Sequence, residues 1–159
     1  MPTTATAPAA RYLASQPTSQ PWVIIPCSGS KLDRPAPADE LYTGSMFKLT
    51  LRAALSITSP ERVRVLSGLY GLVSLYAKIG PYEQRIDQPG GITASRVRQQ
   101  LSAASITGPI VSLLPKPYLR VLTIAHTGTP ADLVNLYEGC RGIGDQRAAL
   151  AYLIRASAR

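Results

Sequence analysis

The run Trp22-Val23-Ile24-Ile25-Pro26 constrains the fold more than any other part of this chain. It carries no charge, it is rich in β-branched residues, and a proline ends it. Such a run suits a strand covered on both faces, as in the middle of a parallel sheet. Directly after it, Cys27-Ser28-Gly29-Ser30-Lys31 brings a thiol, two hydroxyls and an ammonium together. Open α/β sheets bind ligands at the carboxyl ends of their strands, so this loop is the first candidate for chemistry.

The remainder alternates strands with helices. Asp33 to Asp39, with Pro35 and Pro37, reads as an extended loop. Phe47, Leu51, Ala54 and Leu55 recur at helical spacing, which predicts an amphipathic helix with Thr43 as its N-cap. Val63-Arg64-Val65-Leu66 is a second strand and runs into Ser67-Gly68-Leu69-Tyr70-Gly71-Leu72, a tight loop carrying a phenol. Lys78 to Gly91, with Tyr82, reads as loop. Thr93 to Ile106 is a helix, Ile110 to Leu114 a third strand, and Lys116 to Ala125 a helix with proline near its start. A glycine-rich turn, Gly139 to Gly144, precedes a last helix over Asp145 to Ala156.

This pattern predicts an α/β fold: a three-layer-like single domain over residues 21–159, with a mainly parallel central sheet flanked by helices. A length of 159 residues suits one such domain. Residues 1–20 are expected to form a flexible tail, because fourteen of them are Ala, Pro, Thr or Ser and Arg11 is their only charge. That opening is a poor match to a secretory signal, and no apolar run of about 20 residues is present to span a bilayer. The expectation is a cytoplasmic protein without a membrane partner.

Two cysteines, Cys27 and Cys140, exclude a disulfide scaffold, and their spacing suits no zinc site. No metal and no cofactor are expected. Charged residues are 16% of the chain against about 25% in average domains, but seventeen Lys and Arg against nine Asp and Glu leave a formal +8. That sign fits a partner bearing phosphate.

Three familiar motifs fail on inspection. Gly29-Ser30-Lys31 lacks the earlier glycine of a P-loop, and Leu32 stands where a magnesium-holding hydroxyl is needed. Ser28 and Lys31 have S-x-x-K spacing, but the prolines downstream favour a loop over the helical turn that motif requires. Gly142-Ile143-Gly144 opens a dinucleotide fingerprint, yet Arg147 fills the third glycine position. The single histidine, His126, falls at a predicted helix end, where binding backbone carbonyls is the more common role than a catalytic triad.

A resemblance is carried by Pro26-Cys27-Ser28-Gly29-Ser30-Lys31, Leu41-Tyr42-Thr43-Gly44-Ser45-Met46-Phe47, Leu66-Ser67-Gly68-Leu69-Tyr70-Gly71-Leu72-Val73, Pro81-Tyr82 and Gly142-Ile143-Gly144-Asp145-Gln146. Together these resemble the YaaA-related family of small bacterial and phage proteins over most of residues 22–154. The superfamily includes a domain of archaeosine synthase, implicated in attaching lysine to a deazaguanine base of transfer RNA. Its motif of Pro-Cys, a lysine and a downstream Tyr and Ser resembles Cys27, Lys31, Tyr42 and Ser45. The family's namesake is associated with DNA binding and peroxide stress, and related domains occur in phage systems that modify DNA bases. The chain departs from the archaeosine synthase motif in two places: Leu32-Asp33 follows Lys31 where that motif has Pro-Tyr, and Lys48 stands where it has a histidine.

The expected function is an enzyme acting on a nucleobase or nucleotide, glycosidase- or transferase-like, in nucleic-acid modification or a stress or defence pathway. Lys31, Ser45, Cys27 and Tyr70 are the expected catalytic residues, with Lys31 a nucleophile or an electrostatic clamp. Ser28, Gly29, Ser30, Tyr42, Ser67, Gly71, Tyr82, Gly144 and Gln146 are the expected substrate contacts. The Cys27–Lys31 loop would hold a phosphate or developing anion, and Tyr42 and Tyr70 would stack on a base. The bland reading competes at each position: Cys27 as a small buried side chain, Lys31 as a surface charge, Tyr70 and Tyr82 as caps on the core, and Gly142 and Gly144 as a tight turn. A non-catalytic DNA-binding stress protein is the alternative, and a protein-interaction module the third reading.

Overall fold

The computed structural model describes residues 3–15, 17, 20–129 and 132–158. Strand β1 (Trp22–Pro26) is the middle of a five-stranded sheet. β3 (Val63–Ser67) pairs with it in parallel on one side, with Val23 opposite Val63 and Ile25 opposite Val65. β6 (Ile110–Ser112) pairs in parallel on the other, with Trp22 opposite Ile110. β7 (Leu133–Asn135) continues in parallel beyond β6, whereas β4 (Gly71–Ser74) folds back antiparallel on β3. The order is β4-β3-β1-β6-β7, a mixed and mostly parallel sheet in a single α/β domain.

Val23, Ile24 and Ile25 are all fully buried, as their uninterrupted apolar run requires. Side chains alternate across a strand, so they feed two different clusters. Val23 and Ile25 pack with residues of α1 (Ala7–Ala14), α3 (Ser45–Leu55) and α6 (Ile143–Ser157). Ile24 packs with Leu66, Ile110 and residues of α4 (Ala94–Ala103) and α5 (Lys116–Ala125). The chain leaving β1 therefore reaches α3 in one cluster, while the chain leaving β6 enters α5 in the other. Between the carboxyl ends of β1 and β6 the two connections part, and such a switch point leaves a crevice.

Several local expectations need correction. Residues 7–14, expected within a flexible tail, form α1, with Ala9 fully buried and the helix packed on α6. An alanine-rich helix with little charge can approach a neighbour closely, and composition alone does not separate it from a tail. The parts of that expectation falling on residues 1–2, 16 and 18–19 lie outside the described residues. α3 starts from Gly44, with no side-chain cap; Thr43 instead uses its backbone N–H to bond Ser30 O at 3.0 Å. α4 does begin after Thr93, whose side chain accepts from Arg96 N. The Asp33–Asp39 stretch and the loop from Lys78 contain a two-stranded ribbon, β2 (Ala36–Pro37) with β5 (Lys78–Ile79), and α2 (Ala38–Leu41) follows β2. Among the described residues no helix is long and apolar enough to cross a membrane.

Candidate functional site

Past Pro26 the chain stays tied to β3 by one bond, Cys27 N donating to Leu66 O at 3.2 Å. It then doubles against the segment ahead of α3: Leu32 N donates to Leu41 O at 2.9 Å, and Lys31 forms an antiparallel bridge with Tyr42. Directly opposed residues in such a bridge project to the same side. The Lys31 ammonium consequently lies 5.9 Å from the centroid of Tyr42 and 4.4 Å from that of Tyr82, over the ring in each case. Aromatic faces attract a cation, and partial desolvation strengthens the attraction. Among the described residues the one hydrogen bond of this ammonium is long, 3.4 Å to Gly29 O.

Ser67, at the end of β3, organises the tyrosines. Its Oγ accepts the backbone N–H groups of Leu69 and Tyr70 at 3.1 and 2.9 Å and donates to Tyr82 Oη at 2.7 Å. Tyr82 Oη lies 2.6 Å from Tyr42 Oη. Tyr70 meets Tyr82 edge-on at 5.3 Å between centroids, and its Oη donates to Gly80 O at 3.3 Å. Burial pushes the Tyr42 phenol up to about 12, with the Tyr82 hydrogen bond acting in the opposite sense. Burial raises Tyr82 as well, and the neighbouring Cys27 acts in the same direction.

Cys27 Sγ lies 3.2 Å from the hydroxyl of Tyr118, in the first turn of α5. Burial, then the Cys27 charge, raises that phenol too. Tyr118 is absent from the sequence-based site, although the signal was there: an aromatic residue in the first turn after a strand's carboxyl end. Gln100 was missed as well. From α4 its Oε1 accepts Leu72 N and its Nε2 donates to Tyr70 O, both at 2.8 Å, which grips the turn holding Tyr70. Nothing in the local sequence announces a glutamine reaching that turn from another element.

The structure thus gathers Cys27, Lys31, Tyr42, Ser67, Tyr70 and Tyr82. Ser28 accepts from Ser30 N at 3.2 Å and packs on Gly44, where an added Cβ would lie 2.5 Å from Ser28 Oγ. Gly29 and Ser30 are exposed beside it, and Ser45 is an exposed residue at the start of α3, with no hydrogen bond to the tyrosines among the described residues. Gly71 has a backbone role: its φ of +74° and the Gln100 side chain both exclude a Cβ. Gly144 and Gln146 belong to the first turn of α6. Gln146 lines a separate groove of about 590 Å³ with Lys116, Asn135 and Arg141. His126 sits at the end of α5 with Nε2 3.3 Å from Thr129 O, as its position in sequence suggested.

Fold and cluster together define an open-sheet α/β domain whose polar side chains collect where the connections diverge, at the carboxyl edge of β1. Within that broad class the chain belongs to a family of unknown function, DUF6884, which it matches over residues 23–152. No curated protein matches the chain.

Proposed function

We propose that this chain is an enzyme acting on a nucleobase or nucleotide, by cleavage, exchange or modification of the base. The observation that carries the reading is the Lys31 ammonium above the Tyr82 ring, with Tyr70 against the same ring and the hydroxyls of Ser67 and Tyr42 at its edge. A base presents a flat π-face and a hydrogen-bonding rim, and the partly exposed Tyr70 and Tyr82 with an adjoining hydroxyl network complement both. Tyr42, expected to stack on a base, is instead 1% exposed and brings only its hydroxyl to that network. Lys31 adds positive charge for a phosphate or a developing anion. Cys27 and Tyr118 tie the loop after β1 to the start of α5 beside this cluster. The resemblance to the YaaA-related family and to archaeosine synthase supports the same reading, since three of its four motif positions, Cys27, Lys31 and Tyr42 but not Ser45, belong to this cluster. Nucleic-acid modification or a stress or defence pathway is the proposed setting. The two clusters fed by alternate β1 residues support the finer fold reading, helices covering both sheet faces as three layers.

The formal +8 favours a second reading, a DNA-binding protein without catalysis. Some of that charge serves the fold: Arg98 donates to the carbonyls of Ile124 and Ala125 at the end of α5, and Arg62 and Arg64 stack on Trp22. Bases, nucleosides, mononucleotides and oligonucleotides should be screened for binding and turnover with wild type, Lys31→Ala and Tyr70→Phe. The enzyme reading expects a small ligand whose binding or turnover both substitutions weaken. Binding to oligonucleotides alone, falling steeply with salt and indifferent to both substitutions, overturns it in favour of the second.

A further inference from the structure

The direction of the hydrogen bonds in the tyrosine cluster says what kind of atom it receives. Ser67 Oγ already accepts two backbone N–H groups, so its lone pairs are filled and its own proton must go outward, to Tyr82 Oη. Tyr82 and Tyr42 share the next hydrogen bond. Each of the three hydroxyls brings one proton, and the two oxygen–oxygen contacts use one apiece. A single phenolic proton is left on the Tyr42–Tyr82 pair, and no acceptor among the described residues receives it. The chain cannot simply reverse, because a proton sent back from Tyr82 would meet the Ser67 hydroxyl proton and find both lone pairs taken. Burial keeps both phenols protonated.

Lys31 adds donors of the same polarity. Its ammonium faces the Tyr82 ring and, among the described residues, spends only one N–H, on Gly29 O. Asp87, whose charge is felt at Tyr118, is already paired with Arg85 at 3.4 Å. We infer that the half-buried Tyr82, with the buried Tyr42 behind it, and Lys31 form a donor site for a carbonyl or anionic oxygen, so that the protein selects bases with an oxo group over those with an exocyclic amino group at the same ring position. Ser67 is the positioning residue that fixes this polarity. The inference rests on the nucleobase reading and narrows it. An amino group would meet the Lys31 ammonium donor against donor and could use only a spare phenolic lone pair, a weaker partner than the free phenol proton and the ammonium offer to an oxo group.

The test uses two pairs of probes, inosine against adenosine 5′-monophosphate and uridine against cytidine 5′-monophosphate, with affinities measured by calorimetry on the full chain. Wild type is expected to bind the oxo member of each pair at least about tenfold more tightly. Ser67→Ala, which opens a space that water can fill and lets the chain reverse, should bring the ratio towards one, and Ser67→Thr should restore it. A purely structural role for Ser67 would lower both affinities together and leave the ratio unchanged, which overturns the assignment of polarity. Equal binding within each pair by wild type overturns the oxo preference while the nucleobase reading stands. Binding of none of the four overturns both. The wild-type ratio decides the oxo preference even where Ser67→Ala fails to fold.

Discussion

Tyr118 reaches from the first turn of α5 to place its hydroxyl 3.2 Å from the sulfur of Cys27, just past the end of β1. That contact joins the connections that leave β1 and β6 at the point where they diverge. Tyr118→Phe removes the hydroxyl while keeping the ring. It should cost about 1 kcal/mol of stability, read as a lower urea midpoint with an unchanged slope. A shift much below that would mean that the thiol and the phenol are not bonded in solution.

Alkali should unfold the protein through its phenols. Tyr42 is pushed by burial from the ordinary 10 up to about 12, and Tyr82 moves in the same direction. The folded state thus holds protons that the unfolded chain gives up. This contribution to stability is complete below pH 10 and is lost as pH rises from there through 12. Spectrophotometric titration should show a late tyrosinate class that ionises together with loss of the near-ultraviolet dichroism. Tyr42→Phe should remove one phenol from that class; ordinary ionisation of every tyrosine near pH 10 would contradict the buried network.

Gly71→Ala meets two obstacles at once, a left-handed backbone and the side chain of Gln100. A loss of about 1–3 kcal/mol is expected, or a fall in Tm of several degrees by calorimetry for a chain of this size. Because Gln100 must move aside, the same variant should also weaken any ligand that depends on Tyr70. An unchanged Tm would show that the turn relaxes freely.

Ala9→Glu tests the N-terminal helix. Ala9 is fully buried in the cluster shared with α3 and α6, so a carboxylate there is unpaired and out of water. Destabilisation of more than about 2 kcal/mol is expected. If residues 7–14 were a tail, the substitution would be silent in chemical denaturation.

The Cys140 thiol should be sluggish at neutral pH. Burial and then the Asp145 charge push it above its ordinary 9.0. In a Cys27→Ser background the rate of alkylation should rise with a midpoint above pH 9, and Asp145→Asn should move that midpoint part of the way back. A midpoint below 9 would contradict the environment described.

Sequence revealed the parts of the fold in which a residue's role is set by its neighbours along the chain. The apolar run at Trp22 marked the central strand, and an early proline marked the start of α5 at Lys116–Ala125. β4 was hidden because its four residues are too few to show a period, and α1 because alanine gives no strong pattern of its own. The site was legible in the same measure. The loop after β1 pointed to Lys31, and the Leu-Tyr turn pointed to Ser67 and Tyr70. That Tyr82 stands between Lys31 and Tyr70, and that Tyr118 faces Cys27, depends on contacts between residues distant in sequence, which periodicity cannot report.

Lys31, Ser67, Tyr82 and Tyr118 are supplied by four separate stretches of polypeptide, and none of these stretches can build the cluster alone. A partly opened molecule lacks the arrangement altogether. Occupancy of the cluster must then oppose global unfolding, and protection should reach amide hydrogens in β1 and α6 that no small molecule touches.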